Sequence, residues 1–265
     1  MLCFIAKHGS RVGAAILLGV AVGICVSDAR ATLIAIDDFA MPGAAQFLLV
    51  SPGSNSSLQM THAVNGPIGG QRDMLFHVVG QAAINSANAL VGRDTSFNLN
   101  AFQLATNGLA PTVATLQYSG PNSANTSTAL VNAHALGGTS GIDLTSLGTN
   151  DRFQIQVLSS DAQPTTGLDV AITITSPGGT STANVIIPNS LSRFTLQLPF
   201  SQFAGNAALN HVDSISVVFN GVRQTPNIDF EIQGITVVPE PAACLTMLIG
   251  GALLGARSLT RRHRH

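Results

Sequence analysis

Apolar residues fall at every second position through most of the second half of this chain, and that period constrains the fold more than any other feature. Phe153, Ile155 and Val157 alternate with Gln154 and Gln156, while Leu168, Val170, Ile172 and Ile174 alternate with Asp169, Ala171, Thr173 and Thr175. Successive side chains of a strand point to opposite faces, so each stretch reads as a strand with one face on a core. Phe194, Leu196 and Leu198, then Ile215, Val217 and Phe219, then Ile228, Phe230 and Ile232 continue the rule. In the first half the stretches Leu33 to Phe39, Gln46 to Ser51, Met74 to Val79, Phe97 to Leu104 and Val113 to Tyr118 are further strand candidates. Ser51 to Ser57, Asn65 to Gly70 and Ser119 to Asn122 read as loops, and Pro177-Gly178-Gly179 as a hairpin turn before a strand at Ala183 to Ile187. With Gly or Pro about every ten residues and no convincing amphipathic helix, the expectation is an all-β chain, a single antiparallel β-sandwich rather than alternating strands and helices.

The two ends read differently. Lys7 and Arg11 precede an uncharged apolar run, Val12 to Val26, and Ala29 and Ala31 are small residues at the two positions a signal peptidase reads. Residues 1–31 are therefore expected to be a signal peptide with a helical apolar segment, cut after Ala31. At the other end Val238-Pro239-Glu240-Pro241 precedes an apolar run from Ala242 to Ala256, followed by Arg257, Arg261, Arg262 and Arg264. The prolines are expected to continue neither a strand nor a helix, leaving an extended, accessible peptide. The apolar run reads as a transmembrane helix, and the arginines resist translocation and keep the tail cytoplasmic. As a helix its fifteen residues span about 22 Å, short for a permanent anchor.

This arrangement resembles the PEP-CTERM protein-sorting signal of bacteria that make exopolysaccharide. The resemblance covers about the last tenth of the chain. It implies that a membrane-embedded exosortase recognises Pro239, Glu240 and Pro241 and removes the tail, so that the protein is held briefly in the inner membrane and then reaches the envelope surface or extracellular matrix. The expected organisation is thus 1–31 signal peptide, 32–237 exported domain and 238–265 sorting signal (motif 238–241, transmembrane 242–256, basic tail 257–265).

Cys3, Cys25 and Cys244 all fall in the end segments, so the exported body can form no disulfide and no cysteine-ligated metal site. Residues 32–237 hold five arginines and no lysine against ten aspartates and Glu231, a net charge of minus six. A mildly acidic body is unsuited to nucleic acid backbones, which need a basic face. Ser, Thr, Asn, Gln and Gly supply most of the remaining polarity. The chain has no Trp and one Tyr, Tyr118, so the stacking platforms on which sugar rings usually lie are missing, and most Phe residues fall on the core side of the alternation.

Several phrases in the body resemble the galactose-binding-like jelly rolls of carbohydrate-binding modules. Ile36-Asp37-Asp38-Phe39 looks like their opening strand, Leu198-Pro199-Phe200-Ser201-Gln202-Phe203 like the strand and loop before their last hairpin, and Ile228-Asp229-Phe230-Glu231-Ile232 like the closing strand, without its usual aspartate-asparagine ending. Gly69-Gly70-Gln71-Arg72-Asp73 is similar to a phrase in other exported PEP-CTERM proteins of this shape. The resemblance implies a jelly-roll-like sandwich and extracellular polysaccharide as a partner. It also implies a structural calcium ion where the first and last strands meet, for which Asp37, Asp38 and Asp229 are the candidates and Asp143 an outlying one. The alternative is that these are solvated turn and strand carboxylates.

Signals for catalysis are poorer. Asp229 and Glu231 share one face of a strand, as paired carboxylates for glycoside hydrolysis would, but that face is the polar side of an amphipathic strand. His62, His77, His134 and His211 lack metal-ligand spacing, and no nucleophile elbow, P-loop or dinucleotide fingerprint is present. Arg72-Asp73 and Asn150-Asp151-Arg152 each place a charged pair directly before a strand, where an arginine-carboxylate bond between loops would tie the ends of the sandwich. The expected role is a non-catalytic structural or adhesive one, with carbohydrate binding as the alternative and a glycan-active enzyme as a third reading.

Overall fold

Period-two alternation resolves into two packed sheets. The computed structural model describes residues 33–40, 46–50, 58–63, 67–79, 84–94, 99–108, 111–121, 136–162 and 167–239. In chain order the strands are β1 (Ile34–Asp37), β2 (Gln46–Val50), β3 (Leu58–Ala63), β4 (Gln71–Val78), β5 (Ile84–Asp94), β6 (Leu99–Gly108) and β7 (Thr112–Tyr118). They continue with β8 (Asn150–Ser160), β9 (Leu168–Ser176), β10 (Gly179–Ile187), β11 (Phe194–Pro199), β12 (Ala204–Gly205), β13 (Ser214–Phe219) and β14 (Asp229–Pro239). Among the described residues the only helices are single 3₁₀ turns, and none is long and apolar enough to cross a membrane. The expected signal helix, with Ala29 and Ala31, and the expected tail from Glu240 through Pro241 to the arginines 257, 261, 262 and 264 lie outside the described residues.

One sheet has the order β11-β8-β14-β6-β5-β2, with β1 also paired to β14, and the other β12-β10-β9-β13-β7-β4-β3; the ladders are antiparallel. β14 sits inside the first sheet. β8 covers one of its edges, and the other is shared end to end, β6 pairing with Asp229 to Ile232 and β1 with Ile235 to Val237.

The inward positions of both sheets interlock. Phe153, Ile155 and Val157 of β8 and Val170, Ile172 and Ile174 of β9 are buried, as the alternation requires. An aromatic column joins the layers, with ring centroids 4.9 Å apart for Phe102 and Phe219 and 5.4 Å for Phe219 and Phe230. Such pairs add about 0.5–1.5 kcal/mol each beyond the area they bury. A second aromatic group, Phe153, Phe200 and Phe203, pins the 3₁₀ turn after β11 to the core at centroid distances of 5.5–6.4 Å.

Three differences from expectation have local causes. β14 runs to Pro239, opposite Asn150, where the first proline of the motif is expected to continue no strand; a register shift between Val238 and Pro239 and the position at the strand's end let a residue without an N–H stay in the ladder. β3 and β5 lie outside the strands the sequence predicts; Ile84 to Asp94 is interrupted by Asn, Ala and Gly and has little strand propensity of its own. It is held by a long ladder to β6 that runs from Ile84 opposite Gly108 to Asp94 opposite Leu99. Lastly, Arg72 lies inside β4 rather than ahead of a strand, and its partner is in β1.

Candidate functional site

β1 delivers Asp37 to the interior, and the side chain is completely buried. An isolated carboxylate there would be very unfavourable, so the surroundings neutralise it. Arg72, at the inward phase of β4 with Met74 and Phe76 and itself fully buried, places Nη1 2.6 Å from Asp37 Oδ2. The Tyr118 hydroxyl donates to the same oxygen at 2.9 Å, and the Phe39 N–H donates to Asp37 Oδ1 at 2.8 Å. That last bond closes a tight turn and supports Phe39 at a left-handed φ of 54°. Arg72 Nε donates to Gln46 Oε1 of β2 at 3.0 Å, and the guanidinium carbon stands 5.6 Å from the Phe39 ring centroid.

Burial pushes the Asp37 carboxyl above its ordinary value, and the charge and hydrogen bonds of Arg72 draw it back down. Burial and the neighbouring Asp37 charge raise the Tyr118 phenol well above its usual range. The single tyrosine is thus engaged inside the core and offers no surface for a sugar ring.

Nor are the expected calcium ligands brought together. Asp37 pairs opposite Ile235 on β14, six residues from Asp229, which is about 20 Å of strand. Asp38 accepts the Ala40 N–H at 3.0 Å. Asp143 holds its own turn, accepting the Thr145 N–H at 2.8 Å and the Leu147 N–H at 3.0 Å. Among the described residues no group of three or more His, Cys, Asp or Glu is placed to hold a metal ion.

Asp229 and Glu231 do share the outward face of β14, as expected, but they differ in surroundings. Glu231 is buried and accepts from Gln103 Nε2 at 2.9 Å. Asp229 is exposed, and its backbone N–H donates to Asp161 Oδ1. Partial burial and the Asp161 charge raise its carboxyl. Arg152 forms a two-pronged bond with its neighbour Asp151, both contacts 2.7 Å, and reaches Gln197 Oε1 at 2.8 Å, tying β8 to β11 along a sheet face.

The outward face of the first sheet carries a lattice of neutral polar side chains. Gln154 lies between Gln197 and Thr236, and Gln156 between Thr195 and Gly234. Where β1 and β6 meet along β14 the lattice opens into a groove of about 350 Å³, lined by Leu33, Asp38, Leu99, Asn100, Gln156, Gln233, Gly234 and Thr236 among others. Gly234 makes the floor possible: a Cβ there would stand 3.2 Å from the Asp37 carbonyl oxygen. Thr236 Oγ1 has no hydrogen-bond partner. Side-chain amides beside two leucines form a surface suited to a neutral, hydroxyl-rich ligand. Of the lining residues the sequence marked Asp37 and Asp38. The others converge because two strands divide one edge of β14, a juxtaposition with no local signature.

No protein-family model matches the chain, and no curated protein matches it. Among solved structures the chain is similar to a family 11 carbohydrate-binding module from Clostridium thermocellum in complex with a β-1,3-1,4-mixed-linked tetrasaccharide, at 12% identity over 80% of this chain and 98% of that one, with a TM-score of 0.35. It is also similar to a family 30 carbohydrate-binding module, at 11% identity over 73% and 99% of the two chains and a TM-score of 0.37. A third likeness, to TmCBM61 in complex with β-1,4-galactotriose, has 8% identity over 73% and 84% of the chains and a TM-score of 0.21. Likenesses this distant assign neither a family nor a ligand.

Proposed function

We propose that this chain is an exported, non-catalytic adhesive component of the cell envelope or extracellular matrix, holding neutral polysaccharide in the groove between β1, β6 and β14. The observation that carries the reading is the groove's chemistry: Asn100, Gln156 and Gln233 offer paired donors and acceptors for vicinal hydroxyls, and Leu33 and Leu99 offer apolar walls for the C–H face of a ring. Delivery is by the signal peptide and by exosortase acting at Pro239-Glu240-Pro241. The test is retention of the secreted chain on immobilised neutral polysaccharide, including that of the producing organism. Gln156→Ala combined with Gln233→Ala should lower retention at least tenfold while leaving the melting temperature unchanged. Equal retention of the double variant and the parent would refute the groove. Full-length protein, tail included, at its final location would refute processing.

A further inference from the structure

The outward face of the second sheet carries a cluster that the groove does not involve. Asp73 of β4 and Gln117 of β7 are direct cross-strand partners, and Ser119 follows two residues on, at the next position of the same phase. Opposed residues on one face have Cβ atoms about 5 Å apart, and diagonal ones about 7 Å. All three are more than nine-tenths buried, at 1%, 6% and 1% exposure. Yet Asp73 Oδ2, Gln117 Oε1 and Ser119 Oγ have no hydrogen-bond partner. The amide that does reach Asp73, Gln71 Nε2, bonds the other carboxylate oxygen at 2.8 Å. Arg72, the adjacent residue, points to the opposite side of the sheet and engages Asp37.

Three buried oxygens, one of them from a carboxylate, thus lie on neighbouring positions of one face without a hydrogen-bond partner. Buried acceptors normally find partners, and a buried carboxylate needs a counter-charge. A saccharide matches poorly, because its hydroxyls call for donors and acceptors in mixture and for more room than enclosed atoms leave. A small hard cation matches both the three unpartnered oxygens and the carboxylate among them.

We propose that Asp73, Gln117 and Ser119 form a calcium site on the β4–β7 pair, with backbone carbonyls or water completing the coordination. One carboxylate makes it a weak site, in the range of extracellular modules, about 10⁻⁴–10⁻³ M. Binding only the folded chain, calcium stabilises it by mass action.

The test is thermal unfolding of the secreted chain in EDTA and in CaCl₂ from about 0.1 to 10 mM, with MgCl₂ and with NaCl of matched ionic strength as comparisons. The melting temperature should rise by about 3–6 °C once calcium is tenfold above its dissociation constant, and less with the other salts. Asp73→Asn should abolish the rise and melt higher than the parent in EDTA, because it removes an uncompensated charge. Ser119→Ala, a gentler change, should shift the calcium midpoint upward severalfold and serves if Asp73→Asn does not fold. Asp229→Asn should keep the full response. The proposal is overturned by an unresponsive parent, by a response equal in NaCl, by Asp73→Asn responding like the parent, or by Asp229→Asn losing the response.

Discussion

Replacing Arg72 with Met tests whether the buried pair under the β1–β4 crossing holds the sandwich together. Met fills much of the same volume and deletes the charge. Asp37, fully buried, then keeps only the Tyr118 hydroxyl and the Phe39 N–H, and Gln46 Oε1 loses the donor from Arg72 Nε. Removing one partner of a buried ion pair costs about 3–5 kcal/mol, against a total stability of about 5–15 kcal/mol for a typical domain. At about 2–4 °C per kcal/mol for a domain of this size, the melting temperature should fall by about 6–20 °C.

The pH dependence supplies a sharper criterion. Burial already raises the Asp37 carboxyl above 3.8, and Arg72 opposes that rise. Without Arg72 the folded-state value climbs further, so the folded variant binds a proton more tightly than the unfolded chain does. For an acid raised in this way stability is fully present below the unfolded value and declines as pH rises through the folded one. The deficit of Arg72→Met should therefore be larger at pH 8 than at pH 5, by calorimetry or circular dichroism at both values. The double variant Asp37→Leu with Arg72→Met should recover most of the loss, since apolar replacement of a whole buried pair is often neutral or stabilising. A deficit under about 1 kcal/mol, or one equal at both pH values, would mean that the buried pair does not hold the sandwich together.

Other sites give independent tests. Asn220 is fully buried at φ 61°, donates to the carbonyls of Thr112 and Thr225 at 2.8 Å each and accepts the Thr225 N–H at 2.6 Å. Asn220→Ala should cost about 2–4 kcal/mol in urea unfolding, and Asn220→Gly about 1 kcal/mol less, because Gly relieves only the left-handed backbone. Asp161→Asn keeps the oxygen that accepts the Asp229 N–H and removes the repulsion that raises Asp229. It should stabilise by no more than about 0.5 kcal/mol at pH 7, and not at all at pH 3, where the raised Asp229 carboxyl is protonated. Gly205, at φ 137°, would carry a Cβ 2.1 Å from the Thr180 carbonyl oxygen. Gly205→Ala should detach β12 from β10, seen as faster amide exchange at Ser181 and Thr182 with the core strands unaffected.

What the sequence disclosed follows physical range. Leu168 to Ile174, the turn at Pro177-Gly178 and the returning strand were legible because period and turn chemistry are local, and the ladder from Gly179 opposite Ser176 to Ile187 opposite Leu168 follows that reading. The Arg72–Asp37 pair was not, since it joins residues 35 positions apart. A signal was nonetheless present: Arg72 stands in phase with Met74 and Phe76, and a cation in the apolar phase of a strand calls for a buried carboxylate. In the sequence Asp37 reads as an oxygen donor for a metal, and in the fold its counter-charge is an arginine. The groove was illegible for another reason, as its residues come from four strands and the ends of loops.

The position of β14 has a mechanical consequence. Ile235 to Val237 are held between β8 and β1, and Val238 and Pro239 pair with β8 alone. A tether beyond Pro239 would pull along the strand axis and load both flanking ladders at once in shear, rather than peeling bonds one by one from an edge. Rupture under force then depends on the unfolding rate rather than on equilibrium stability. For as long as a tail is attached there, the body would bear load along the strand axis.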